Sequence, residues 1–547
     1  MSLPVDTPNN FINGGFFMKL IYGVKDKPKF GQVIVFAIQQ LLAIMAATLV
    51  VPVIIGHGMS PVAALFGAGI GTIVYLLFTK FRSPVFLGSS FAFLGSMAAA
   101  FAGGVSVGLG YIGLILGAVF AGLVYVIIAI IVKFAGVKWI NKLMPAVVIG
   151  PTVALIGLSL AGNAVGDMNK TNVITTLDPE SYQVIEIVKD SHFDENGNLV
   201  KEGGVEYIIA DADAKADENG VIPADKIHND ITLATDENGV PTKDENGNYI
   251  YSANLGSNYV AIICALVTLV VTILCSVYGK KFIKLIPFII GISAGYAAAS
   301  AFFIVGMLTG NPALMIIDFS PFTALVANGV NLSTFFTVPN FTFLTAFGSF
   351  SEINGTYIAS IAVAYIPVAF VVFAEHIADH KNISSIIDQD LLEDPGLHRT
   401  LLGDGVGSMI GAIFGGCPNT TYGESVACVA ITGNASVITI IATAIGAIAI
   451  SFLAPFVAIV NSIPSCVMGG VCMALYGFIA VSGLKMIKKV DLDQGANLFT
   501  VSAILIAGIG GLTLTFGQVT VTSIACALIL GIFVNLIVNK SRKTSDK

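Results

Sequence analysis

Fourteen stretches of this chain are apolar over roughly the length a helix needs to cross a bilayer, and this limits the folds open to it. They cover about 31–55, 62–79, 85–103, 109–132, 144–162, 258–278, 285–308, 356–378, 401–415, 417–432, 435–460, 465–483, 497–514 and 520–538. A spanning helix takes ~20 predominantly apolar residues. Composition agrees: 55% of residues are hydrophobic and 11% charged, where soluble domains carry about 25% charged residues. The expectation is an all-α polytopic membrane protein. Residues 1–30 carry no basic start, apolar run and small-residue cleavage site in sequence, so no cleavable signal peptide is expected.

The third and tenth runs are too interrupted for ordinary helices, and the basic residues argue for counting both. Lysine and arginine collect in cytoplasmic loops. Here they precede run 1 (Lys19, Lys25, Lys27, Lys29) and follow run 2 (Lys80, Arg82), run 4 (Lys133, Lys138, Lys142) and run 6 (Lys280, Lys281, Lys284). They recur after run 8 (Lys381, Arg399), run 12 (Lys485, Lys488, Lys489) and run 14 (Lys540, Arg542, Lys543). Every cluster falls at an even boundary. Fourteen crossings of the cytoplasmic membrane, with both termini cytoplasmic, satisfy this parity.

The resulting organisation is a cytoplasmic segment 1–30, a first block 31–162 of five segments, an insertion 163–257, and segments six and seven over 258–308. A connection 309–355, a second block 356–538 and a cytoplasmic tail 539–547 follow. The insertion holds 19 Asp/Glu against 6 Lys/Arg, which accounts for the overall net charge of -7. It is expected outside the cell. Asp-Glu-Asn-Gly occurs in it four times, at 194–197, 217–220, 236–239 and 244–247. Asn-Gly between extended residues signals hairpin turns, and Tyr182–Val188 and Val205–Ile209 offer strands, so a β-rich appendage is expected. Its Asp211-x-Asp213-x-Lys215 departs from a calcium loop at the third ligand.

The chemistry concentrates in Cys417-Pro418-Asn419-Thr420-Thr421-Tyr422-Gly423-Glu424. Pro418 removes a backbone donor, and Gly415, Gly416 and Gly423 relax the chain, so a continuous helix is not expected. Broken backbone at membrane depth persists only where protein buries it or it lines a cavity. An ionisable residue beside such a break points to a functional site; the bland alternative is a loop with Glu424 in water. Run 3 carries a parallel stretch, Gly88-Ser89-Ser90-Phe91-Ala92-Phe93. Runs 3 and 10 are each third in a set of seven. Seven is odd, so the sets would be inverted repeats, a secondary-transporter signature, with short extended pieces in segments 3 and 10.

Run 8 supplies a second carboxylate, Glu375, at the end of the apolar stretch 361–374, with Asp379 one turn on and on the same face. His376, His380 and Lys381 read as a solvated cytoplasmic helix end. Glu375 and Glu424 can accept hydrogen bonds; backbone N–H groups near Phe91 and Gly423 can donate them. A flat ligand with alternating N–H and C=O groups, such as a pyrimidine-dione, meets both sets, and Phe91, Tyr422 and Tyr476 offer ring faces. Gly67, Gly69 and Gly71 read as helix-packing residues, not a phosphate loop. The seven cysteines form no C-x-x-C pair. No metal, organic cofactor or nucleic-acid partner is expected.

Several of these pieces together resemble the nucleobase–ascorbate transporter family (nucleobase:cation symporter-2), and within it the proton-coupled uracil permease branch. They are Gln39-Gln40-Leu41-Leu42-Ala43 with Thr48 and Pro52, the Gly88–Phe93 stretch, Ala374-Glu375-His376, Asp394–Arg399, Pro418–Glu424, Val467–Gly470 and Tyr476-Gly477. The resemblance implies fourteen spans in two inverted seven-segment repeats, with a core of runs 1–4 and 8–11. Runs 5–7 and 12–14 would form a gate that also makes a homodimer contact. It implies that Glu375 and Glu424 hold the base through side chains, Phe91 and Gly423 through main-chain N–H, with Ala47, Tyr422 and Tyr476 in contact. Uracil permeases usually carry histidine where this chain has Asp379, which looks more like the purine branch. The expected activity is uracil:proton symport driven by the proton gradient, with Glu375 or Asp379 carrying the proton. The alternatives are a xanthine or uric acid permease and an anion exchanger of similar architecture. A membrane enzyme would need a metal set or nucleophile pair, for which His376 with Asp379 is thin.

Overall fold

The computed structural model describes residues 20–545 except 137–138, 140–144, 281, 328 and 517–518, and except 172–173, 177–178, 189–190, 194–198, 202–204, 216–222, 224–225, 229–230, 235–240 and 244–247 in the insertion. Its first helices are α1 (Phe30–Ile55), α2 (Pro61–Phe78), α3 (Leu94–Ala100), α4 (Val107–Ala135), α5 (Ala146–Ser159) and α6 (Ala161–Met168). After the insertion come α7 (Asn258–Tyr278), α8 (Pro287–Thr309) and three short helices, α9 (Ser320–Ala324), α10 (Leu332–Phe335) and α11 (Thr342–Ala346). The remainder is α12 (Gly355–Ile387), α13 (Leu397–Gly415), α14 (Gly423–Thr432), α15 (Val437–Ile450), α16 (Ala454–Asn461), α17 (Ser465–Ile487), α18 (Gly495–Ile509) and α19 (Ser523–Ser545).

Among the described residues, α1, α2, α4, α5 continued by α6, α7, α8, α12 and α17 are long and apolar enough to cross a membrane. The protein is a mostly helical, multi-pass membrane protein. Side-chain caps open several of these helices: the Ser60 and Ser106 hydroxyls accept from Ala63 N–H and Leu109 N–H, and Asn354 Oδ1 accepts from Tyr357 N–H at 2.8 Å. The eighth apolar run was expected to end at 378, but its helix continues to Ile387. Ile383 and Ile387, one turn apart, are buried there, so an amphipathic face extends the helix past its apolar stretch.

Runs 3 and 10 are interrupted by strand. β1 (Leu87–Ser89) precedes a 3-10 turn, Phe91–Phe93, and α3; β9 (Asn419–Thr421) precedes α14. In the insertion, β3 (Tyr182–Val188) pairs antiparallel with β6 (Val205–Asp211), β4 (Ser191–Phe193) pairs with β5 (Leu199–Lys201), and β8 (Tyr251–Asn254) lies between β2 (Ile174–Thr176) and β7 (Ile231–Leu233). Ile209, Ile231 and Tyr251 form its small core. Asp211 and Asp213 contact His228 Nε2 at 2.7 Å and Lys226 Nζ at 2.6 Å. The four Asp-Glu-Asn-Gly turns lie outside the described residues.

The helices form two groups. In one, α2 packs along α13 and α15, and α4 along α12 and α13; in the other, α17 packs on α5, α6 and α7, and α18 on α5 and α19. Glycine makes the closest approaches. A Cβ on Gly67 would run into the Gly411 carbonyl, and one on Gly71 would stand 2.7 Å from the Gly407 oxygen. The Gly67–Gly71 stretch is therefore packing material between α2 and α13. In the second group, Gly157 and Gly483 seat α5 against α17 in the same way.

Gly67→Ala should push α2 off α13 and cost about 1–3 kcal/mol of stability. Gly477→Ala, where an added Cβ meets nothing within 4 Å, should be close to neutral. Thermal unfolding of the purified variants, followed by loss of monodisperse protein on heating, checks the difference.

Candidate functional site

A three-residue strand does not hold itself in place, and the two at this site are held by side chains from their surroundings. β1 and β9 pair antiparallel, Leu87↔Thr421, Gly88↔Thr420 and Ser89↔Asn419. Leu87 N–H donates to Thr72 Oγ1 at 2.9 Å. The Tyr422 hydroxyl donates to the Ser89 carbonyl at 2.8 Å, its ring filling the space that a Cβ on Gly88 would occupy. Asn419 Nδ2 donates to the Gly67 carbonyl at 3.1 Å, in a slot kept open by Gly71 and Gly411. Ser425 Oγ accepts from Phe86 N–H at 3.0 Å and from Gln40 Nε2 at 2.5 Å. Backbone polar groups interrupted from helix pairing thus find partners inside the protein.

A cavity of about 350 Å³ opens beside this junction, between the two helix groups. Its polar wall comes from the first group: Glu375 and Asp379 of α12, Glu424 and Gly423 at the start of α14, with Phe91 and Tyr422. The facing wall comes from the second group and is largely apolar: Val153 and Ile156 of α5, Phe288 of α8, and Leu475, Phe478 and Ile479 of α17. Such a volume holds one small molecule. Gly423 is the first residue of α14. First-turn amides have no partner within the helix, so the N-terminal end offers donors beside the Glu424 carboxylate. Asp379 is fixed by Thr421 Oγ1, which donates to its Oδ2 at 2.9 Å and joins α12 to β9.

Six sequence candidates therefore share one cavity: Glu375, Asp379, Glu424, Gly423, Tyr422 and Phe91. Ala47 and Tyr476 do not line it. Both are buried, and Tyr476 stands behind Phe91 in an edge-on ring contact, centroids 5.9 Å apart at 79°. The Ser90 and Thr420 hydroxyls, which the sequence did not single out, are buried at the wall without a hydrogen-bond partner and offer further polar contacts to a ligand.

The reading of His376 and His380 as a solvated helix end is overturned. Both are fully buried, while Lys381 is exposed. His376 Nδ1 lies 2.6 Å from Asp404 Oδ2 and its Nε2 3.0 Å from Thr400 Oγ1, both on α13. His380 Nδ1 faces the His376 carbonyl at 2.8 Å, so that nitrogen carries the hydrogen. Its Nε2 lies 2.7 Å from the Tyr75 hydroxyl, which in turn donates to Ser83 Oγ at 2.6 Å. The reason is that α12 runs two turns past His380, and α2 and α13 cover this face. Asp404 was missed although the signal was present: it is an acid within the apolar run 401–415.

With this geometry in hand, comparison with known proteins places the chain. The model of the Permease family matches residues 31–186 and 246–517. The chain belongs to this family. It is 34% identical over 524 residues to a uracil permease of Bacillus caldolyticus, covering 95% of both chains. To a uracil permease of Escherichia coli (strain K12) it is 31% identical, covering 94% of this chain and 93% of the other. The transmembrane domain of the cyanobacterial bicarbonate transporter BicA shares the fold at 13% identity, with a TM-score of 0.52 over 94% of this chain and 99% of that one. As a member of a permease family the chain is a transporter, not an enzyme.

Glu424→Gln should cost a ligand N–H its charged acceptor, worth about 1.5–3 kcal/mol. Uracil affinity of the purified variant, measured by calorimetry, should fall roughly ten- to hundredfold; unchanged affinity would remove Glu424 from the site.

Proposed function

We propose that this protein is a secondary-active symporter that brings uracil into the cell with a proton across the cytoplasmic membrane. The observation that carries this reading is the cavity, where three carboxylates and the N-terminal end of α14 converge on one small space. Glu375 and Glu424 accept the base's N–H groups. Main-chain N–H of Phe91 and Gly423 donate to its carbonyls, and Phe91 and Tyr422 flank the ring. Two relatives named uracil permease, similar over nearly the whole chain, favour uracil over xanthine or uric acid, the second reading that Asp379 suggests. An anion exchanger is disfavoured by the carboxylates, because the likeness to a bicarbonate transporter is one of fold.

The membrane organisation proposed is fourteen spans in two inverted repeats of seven, with both termini cytoplasmic and the insertion outside. The antiparallel pairing of β1 in segment 3 with β9 in segment 10 supports inverted repeats. Two contacts support the sidedness. Ile21 and Tyr22 N–H donate to the Gly433 carbonyl after segment 10, at 2.7 and 3.1 Å, so the N-terminal segment meets a loop assigned to its own side. At the opposite face Ser257 N–H, at the end of the insertion, donates to the Ala313 carbonyl of the second outer connection at 2.8 Å.

Transport follows from the two walls. The group bearing the carboxylates acts as the moving core, and the apolar wall of α5, α8 and α17 acts as the gate and the homodimer contact. An empty core with an ionised carboxylate crosses that wall at a high desolvation cost; a core carrying base and proton hides its polar groups. The proton gradient supplies the drive, with no cofactor. Asp379 sits one turn from Glu375, bonded to Thr421, where it exchanges the proton while Glu375 holds the base.

Asp379→Asn should therefore weaken accumulation against an imposed pH gradient more than it weakens equilibrium binding, whereas Glu375→Gln should damage both. Parallel binding and proteoliposome accumulation assays distinguish them. If Asp379→Asn accumulates uracil like the parent, the coupling proton rides on Glu375.

A further inference from the structure

Two connections leave the membrane helices at the same face, and they are chemically unlike. The insertion carries 19 Asp/Glu and 6 Lys/Arg. The connection from α8 to α12, residues 310–354, has Asp318 and Glu352 as its charged residues, no lysine or arginine, and eight phenylalanines. It is not a loop tucked into the protein. One side of it is seated: α9 and α10 pack on α16, and α11 packs on α4 and α13. Phe341 stacks against Phe343 and meets Phe66 and Phe414, and Thr337 N–H donates to the Phe452 carbonyl at 2.9 Å. The other side is left open and apolar. Leu332 is 75% exposed, Val330 74% and Val338 69%, with Phe335, Phe336 and Phe347 each more than half exposed.

We infer that this connection lies in the bilayer, as an interfacial collar whose open face is covered by lipid at the headgroup–acyl boundary. Four features select lipid as the occupant. The segment joins the end of one membrane helix to the start of another, so it sits at interface depth. Its open face continues the lipid-facing surface of α8, where Ile304, Met307 and Leu308 are likewise exposed. Short helices with one seated and one apolar open face are the form that interfacial segments take, sinking about 5–10 Å below the headgroups. A patch this apolar facing water would invite aggregation. The absence of lysine and arginine further means that insertion is driven by apolar depth, without attraction to anionic headgroups.

The collar is tested in the full-length protein reconstituted in phosphatidylcholine vesicles. The chain has one tryptophan, so Trp139→Phe gives a silent background in which Leu332→Trp and Phe347→Trp each report one point of the open face. Both positions are exposed, at 75% and 65%. Ala212→Trp, exposed in the insertion, is the aqueous control. Lipids brominated near the top of the acyl chain should quench both collar reporters and leave the control bright, whereas iodide should quench the control alone. Replacing a third of the phosphatidylcholine by phosphatidylglycerol should leave the collar signals unchanged. Iodide quenching at Leu332→Trp and Phe347→Trp would overturn the inference by placing the face in water. Protection from both quenchers would overturn it as well, because the insertion or a second copy of the chain would then be the cover.

Discussion

The arrangement rests on the antiparallel pairing of two three-residue strands, Leu87–Ser89 and Asn419–Thr421, inside a helical membrane protein. A helix satisfies its own backbone in lipid; an interrupted one does not, and each unsatisfied group there costs several kcal/mol. The chain meets this by crossing the two interruptions so that each supplies the other, and by spending Thr72, Tyr422 and Ser425 on remaining groups, while Asn419 fastens β9 to α2. What the pairing produces is the start of α14 beside the cavity, with first-turn amides that have no partner within the helix and an acid beside them. A site for a polar molecule in an apolar medium follows from the break itself.

The division of the cavity into a polar and an apolar wall links packing to transport. Close glycine contacts make each helix group a tight unit: Gly67 and Gly71 against Gly411 and Gly407 in one, Gly157 and Gly483 between α5 and α17 in the other. Between the groups the cavity intervenes. A packed core deforms discontinuously, so under the proposed transport relative movement would concentrate where packing is thinnest, at the boundary where the ligand would sit. The buried pairs His376–Asp404 and His380–Tyr75 tie α12 to α13 and α2, so the helix bearing Glu375 and Asp379 is fastened to its group.

Much of the site was legible because acids inside apolar runs are costly and few. Glu375 and Glu424 stood out on that ground, Asp379 by its place one turn from Glu375 on the same face, and Pro418 with its flanking glycines marked the break. The apolar wall was not legible: Leu475 and Phe478 in a membrane helix look the same in sequence whether they face lipid or a ligand. Ala47 came from family resemblance and Tyr476 also as a candidate ring face, and the packing of α17 puts Tyr476 behind Phe91 rather than at the cavity. His376 and His380 were misread because their partners are distant in sequence, Asp404 by 28 residues and Tyr75 by 305; a local run of charge cannot tell water from a buried network.

The central claim is that the cavity at the crossed strands takes uracil and couples its movement to protons. Uptake of labelled uracil and labelled xanthine into proteoliposomes, with and without an imposed inward proton gradient, tests it most directly. The account predicts uracil accumulation above equilibrium only with the gradient, competed by unlabelled uracil and not by xanthine. Equal accumulation without a gradient, or preferential accumulation of xanthine, would contradict it.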